Sequence, residues 1–194
     1  MTTTQAAALP YRIGEPDIQC RYPVIIGEDR VIGQAYRWHR DWLVVTTEGE
    51  HNLRRPPTGT KGEDMAAAYL AEEYAAGRIT AVTLEQIRAE APKPLNGPVP
   101  LLHPRMPASP RNIDGAHVAF AGLTQHRWRA LATGFPGSDN PWYLLCELCQ
   151  WAGPVYWSHL RGRNGNPPTI NRHAKYAKCV GAEKVRELIA AYQQ

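Results

Sequence analysis

Two cysteines separated by two residues, Cys146 and Cys149, followed by His159, His173 and Cys179, constrain this chain more than any other feature. A tetrahedral Zn²⁺ takes thiolate and imidazole ligands, and a Cys-x-x-Cys turn aims two thiolates at one point. The full string is C-x2-C-x9-H-x13-H-x5-C, which offers five candidates for four places. Cys146, Cys149, His173 and Cys179 are the expected Zn²⁺ ligands. His173 and Cys179 stand just before a C-terminal amphipathic segment, so the metal would pin the start of a helix against the Cys-x-x-Cys turn. His159 is the spare. A redox pair would follow a strand and open a helix, whereas Gln150-Trp151-Ala152-Gly153-Pro154 is turn punctuation. A small lobe with Asn166-Pro167-Pro168 in its middle buries too little surface to hold by itself, and zinc supplies the staple.

The rest of the chain reads as α+β in several parts. Residues 1–18 are expected to form a flexible arm, and residues 19–91 an N-terminal β-meander with a helical hairpin. Val24-Ile25-Ile26, Val31 to Trp38 and Trp42 to Thr47 are β-branched and aromatic runs bounded by Gly27-Glu28-Asp29 and His39-Arg40-Asp41, the pattern of a small antiparallel meander. Thr60-Lys61-Gly62-Glu63 and Thr83-Leu84-Glu85-Gln86 both have capping-box spacing and predict two helices, closed by Gly77 and Pro92. The second helix carries Arg88 against Glu85 and Glu90, so the pair is read as a packing hairpin and not as a DNA-reading one.

Residues 92–111 hold seven prolines and are expected to be a stiff linker, with a zinc-binding domain over 112–194. Within that domain Ala116 to Ala121 is predicted as a strand, Leu123 to Thr133 as a helix, and Trp142 to Leu145 as a strand delivering Cys146. Val155 to Trp157 would return beside it. His126-Arg127-Trp128-Arg129 is read as one core tryptophan between solvated arginines, with a nucleic-acid-facing cluster as the other reading. Val185, Leu188, Ile189 and Tyr192 fall at helical spacing and predict one apolar stripe over Glu183 to Tyr192.

Knuckle, hairpin, loop and helix together resemble a treble-clef-like or C2HC zinc-finger module, a ββα lobe stapled by its metal. The order Cys-x-x-Cys, His159, Asn171 also resembles zinc-stapled HNH nucleases over about forty residues. That resemblance implies His159 as general base and Asn171 as the orienting amide. It departs from the pattern after Cys179, where the helix offers Glu183 but no His or Asp to hold a catalytic cation, and an HNH site lacking that ligand cannot generate its nucleophile.

Charge narrows the function classes. The net charge is +4, but residues 1–100 hold 11 Lys or Arg against 13 Asp or Glu, while residues 101–194 hold 11 against 5. The positive field therefore accompanies the ligand string, which favours an acidic partner. Arg161, Arg163, Arg172 and Lys175 flank or lie between the ligands, and arginine and lysine neutralise phosphates. The expected function is non-catalytic nucleic-acid binding, DNA in the first instance. An HNH-like endonuclease is the alternative, and a protein-interaction adaptor anchored on exposed Trp151 and Trp157 is a further one. No phosphate-binding loop, Gly-x-Ser-x-Gly or dinucleotide fingerprint is present. The start Met1-Thr2-Thr3-Thr4-Gln5 has no basic, apolar leader and no run of eighteen apolar residues follows, so a cytoplasmic protein without a membrane partner is expected.

Overall fold

The computed structural model describes residues 10–163, 166–170, 172–173 and 179–193. The protein is mixed α+β with antiparallel sheets, and among the described residues it has five α-helices. It divides into two compact units, one of residues 1–17 and 21–91 and the other of residues 18–20 and 92–194. No helix of the described residues is long and apolar enough to cross a membrane.

In the first unit β1 (Tyr11–Ile13), β2 (Tyr22–Ile26), β3 (Arg30–Trp38), β4 (Asp41–Thr46) and β5 (Gly49–Asn52) pair antiparallel in sequence order. The meander expected from the β-branched runs is present, with Gly27 and His39 at positive φ in its turns. Two further strands lie beyond it. Tyr11–Ile13, read from sequence as part of a loose arm, pairs with β2, and residues 1–9 of that arm lie outside the described residues.

Helix α1 (Gly62–Ala75) presents Ala66, Ala67, Leu70 and Ala71 to Val24, Ile26, Ile32, Trp42 and Val44 of the sheet. Small alanines let the helix come close, and Gly33, at φ 156°, leaves room where a Cβ would stand 2.7 Å from Leu70 Cδ2. The helical hairpin is replaced by helix, strand, helix: Val82–Thr83 forms β6, which pairs with Arg30 and Val31 of β3 before α2 (Leu84–Glu90) begins. The β-branched Val82 and Thr83 thus extend the sheet, a tertiary pairing that local capping signals do not report. Thr83 caps α2 with the full reciprocal box to Gln86, as its spacing predicts. The first box differs, because α1 is capped at Lys61 with no side-chain hydrogen bond.

In the second unit the proline-rich stretch does not run free. Leu95 N–H donates to Leu131 O, Phe135 N–H to Leu101 O and His103 N–H to Phe135 O, and Val99, Leu101 and Leu102 pack on the core. Proline removes donors from a segment but leaves the residues between free to pair, so the chain is tied down through them.

Helix α3 (Pro110–Gln125) occupies residues expected to hold a strand and the start of a later helix. Its period shows in burial: Ala116, Ala119 and Leu123 are covered while Val118 is 63% exposed. Ser109 caps it by accepting from Asn112 N–H, and Pro110 sits in the first turn, where its missing N–H costs nothing. Arg127 then takes φ 57° and turns the chain into β7 (Trp128–Ala130). β7, β8 (Pro141–Cys146) and β9 (Ala152–Tyr156) form an antiparallel sheet in that order, with Trp128 opposite Cys146 and Leu145 opposite Ala152. A short helix α4 (Trp157–Leu160) follows, then α5 (Ala182–Leu188) and a 3₁₀ turn at Ala190–Tyr192.

Candidate metal centre

Strand β8 carries Cys146 on its buried face at the tip of the β8–β9 hairpin. There the chain makes a tight turn: Gln150 N–H donates to Cys146 O at 2.8 Å, Cys146 N–H donates to Trp151 O at 2.8 Å, and Gln150 adopts φ 63°. The turn returns the chain into β9 and leaves Cys149 beside Cys146. Leu148, between them, packs both on the core of the sheet and on the cluster of Val185, Ile189 and Tyr192, so the hairpin tip is also the seat of α5. Cys179 arrives just before that helix, whose N-cap Gly181 has φ 92°.

The four residues chosen from spacing converge. The ligand atoms of Cys146, Cys149, His173 and Cys179 all lie within 4.8 Å of one another. Cys146 Sγ is 3.7 Å from Cys179 Sγ, and Cys149 Sγ is 3.1 Å from His173 Nε2. A tetrahedral ion with metal–sulfur bonds of about 2.3 Å and metal–nitrogen bonds of about 2.0 Å holds sulfur atoms about 3.8 Å apart and sulfur and nitrogen about 3.5 Å apart. The cluster can therefore hold a metal ion. None of the cysteines forms a disulfide.

The thiols are tuned in opposite directions. Burial pushes Cys179 up to about 11, and the neighbouring Cys146 and Cys149 thiols add to the rise. Burial raises Cys146 too, but donation from Arg172 and from the Leu148 and Cys149 backbone outweighs it and holds this thiol below its ordinary value. A coordinated cation would favour the thiolate at every position.

Aromatic side chains wall the site. Trp151 stacks on His173 at 4.5 Å between ring centroids, and Trp128 meets both rings edge-on at 6.3 and 6.2 Å. Arg172 lies over Trp128, 4.7 Å from the ring centroid, and donates to Arg127 O at 3.0 Å and to Cys146 Sγ at 3.5 Å. Sequence reasoning missed Trp128 and Trp151 as walls. The adjacency of Arg172 to His173 and of Trp151 to the Cys-x-x-Cys turn was the available signal.

Three sequence expectations change here. Arg172, expected to reach phosphate, is 3% exposed, because its guanidinium is taken by the indole, a carbonyl and a thiol. Trp157, expected as an exposed protein anchor, is 5% exposed and packs on Gly122 of α3. Leu188, expected in the apolar stripe, is 46% exposed, because the chain leaves the helix at Ile189 (φ −132°, ψ 107°) and that break turns Ile189 and Tyr192 inward without it.

His159 lies on α4 rather than at a strand end, exposed and tilted against Tyr156 at 5.2 Å, outside the four-residue cluster. Asn171 and Lys175 lie outside the described residues. Arg161 and Arg163 are exposed, and together with Arg186 of α5 they line an open cleft of about 580 Å³, which Asn166, Pro167, Pro168 and Ile170 complete. No carboxylate is among the residues lining it, but Arg163 is ion-paired with Asp139 at 3.5 Å. Comparison with protein-family models, with curated proteins and with solved structures gives no match to this chain.

Proposed function

We propose that this protein binds nucleic acid, DNA in the first instance, through a C-terminal unit held together by one structural Zn²⁺. The convergence of three thiols and one imidazole within 4.8 Å carries the reading. Such a donor set suits zinc over the hard cations, and four protein ligands leave no open position for a substrate or an activated water. A turn bearing two cysteines at a hairpin tip, a connecting loop and a helix seated on that tip support a treble-clef-like organisation.

The basic surface supports the choice of partner. Arg161 and Arg163 stand on the segment that leaves α4, Arg186 faces them from α5, and all three are exposed. Guanidinium groups around an open cleft pair with phosphate in the bidentate geometry that lysine cannot make. Arg172 is withdrawn from this role by its burial, Arg186 joins it, and Lys175 is retained as a further contact.

Metal analysis of the purified protein tests the first half of the reading: about one zinc per chain is expected. For the second half, four phosphate contacts, the three arginines and Lys175, give a log-affinity against log-salt slope of about −3.6. Replacing Arg161, Arg163 and Arg186 with alanine flattens that slope to about −1, the share of Lys175. Added Mg²⁺ causes no cleavage; cleavage that depends on His159 would make the protein a nuclease instead.

A further inference from the structure

We infer that Arg172 is the counter-ion of the metal centre, and that its positive charge, rather than its packing or its hydrogen bonds, sets how tightly the metal is held. The inference rests on the zinc reading above.

A buried guanidinium needs an anion, because the free energy of removing a charge from water is recovered only through a close opposite charge or good hydrogen bonds. Arg172 is 3% exposed, and among the described residues no carboxylate pairs with it. Two of its nitrogens, Nε and Nη1, are buried and have no hydrogen-bond partner among the described residues. The indole of Trp128 lies under its face, and His126 and Tyr192 stand nearby, yet none of these is an anion at neutral pH. Among the described residues the thiol it meets is Cys146, whose Sγ accepts from Nη2 at 3.5 Å.

Charge arithmetic explains the arrangement. A divalent ion with three thiolates and one neutral imidazole carries one surplus negative charge. Placed at the hairpin tip, with Cys146 buried and the other three ligands partly covered beside the indoles, that surplus is costly to leave uncompensated. It and the guanidinium cancel across the Arg172–Cys146 contact, and the occupied centre with its arginine is neutral. Occupancy by the metal is therefore coupled to Arg172 through net charge. Position 172 precedes the ligand His173, so the segment that brings the imidazole also brings the compensating charge.

Three substitutions separate charge from the other contributions: Arg172→Lys keeps the charge, Arg172→Gln keeps a donor without charge, and Arg172→Met keeps only apolar length. Zinc affinity of each full-length variant is measured by competition with a chromophoric chelator, and the thiolate-to-metal absorption of the Co²⁺-loaded form is recorded alongside. Loss of a group that supports a metal's ligands weakens binding by about 10- to 100-fold. That loss is expected for Gln and Met, with a displaced Co²⁺ absorption, while Lys stays within about threefold of the parent. Gln or Met binding zinc as tightly as the parent overturns the inference, as does Lys binding as weakly as Met. If Met does not fold, Lys and Gln decide the question by the same two criteria. A parent protein that binds no zinc refutes the metal reading itself, a result measured first and separately.

Discussion

At Cys149 and Cys179 the thiols are only partly covered, so their loss opens no large cavity; what is lost is a ligand of the proposed metal centre. Cys149→Ser and Cys179→Ser are expected to release the metal and unfold the second unit, because in small metal-stapled folds the binding free energy is the folding free energy. Zinc content and circular dichroism check this together. His159→Ala leaves zinc content unchanged, since His159 sits on α4 outside the cluster; zinc lost in that variant but retained in His173→Ala would reverse the assignment. His126 gives a pH signature. Burial, and then the nearby Arg172, depress its pKa below the ordinary 6.5, so the fold favours the neutral ring while the unfolded chain binds a proton more readily. Its contribution to stability is therefore present above about pH 6.5 and is lost as pH falls through the folded-state value. Between pH 7 and 5 the melting midpoint of the second unit should fall further in the parent than in His126→Phe. Acid release of metal affects both proteins alike, so the difference isolates His126.

Among the elements, α3 and α4 meet at a single glycine. A Cβ on Gly122 would fall inside the indole of Trp157, which is buried and fixed between α3 and the sheet. Helix propensity alone would make Gly122→Ala stabilising by about 1 kcal/mol. Overpacking opposes that gain and costs about 1–3 kcal/mol, more if the indole must leave its pocket. Net destabilisation is expected in denaturant titration, and a more stable variant would show that Trp157 has room to move. In the first unit the cap of α2 gives a cleaner number. Thr83 accepts from Gln86 N–H while Gln86 returns to Thr83 N–H, and Thr83→Ala should cost about 1 kcal/mol.

For the whole molecule, division into two units means that metal removal should act on one of them. The first unit is built on Val24, Ile26, Ile32, Leu70 and their neighbours, with no ligand of the cluster among them. Hydrogen exchange on the full chain, with and without a strong chelator, should lose protection in β7 to β9 and α5 while β2 to β4 keep theirs. Loss of protection in both units at once would show that they unfold as one. The basic surplus lies over residues 101–194, which carry the cluster.

Sequence by itself determined the features that depend on residue type at short spacing. The thiol pair of Cys146 and Cys149, the capping of α2 by Thr83 and Gln86, the strands of the meander and the burial of Trp128 between exposed Arg127 and Arg129 are all of this kind, since each is settled by chemistry within a few residues. The fate of Arg172 and Trp157 was decided only by the tertiary structure. A lone arginine in a polar loop and a tryptophan at a strand end look solvent-facing until the hairpin tip, α3 and α5 close around them. The helix over Pro110–Gln125 hid for a related reason: apart from Leu123 its buried face is alanine and glycine, whose hydrophobic signal is weak and whose value lies in letting Trp157 and Phe135 come close. Extension of the first sheet by Val82–Thr83 was equally invisible, because its partners, Arg30 and Val31, stand some fifty residues earlier in the chain. Local chemistry selects ligands and caps, but which groups are shut away from water is a property of the packed whole.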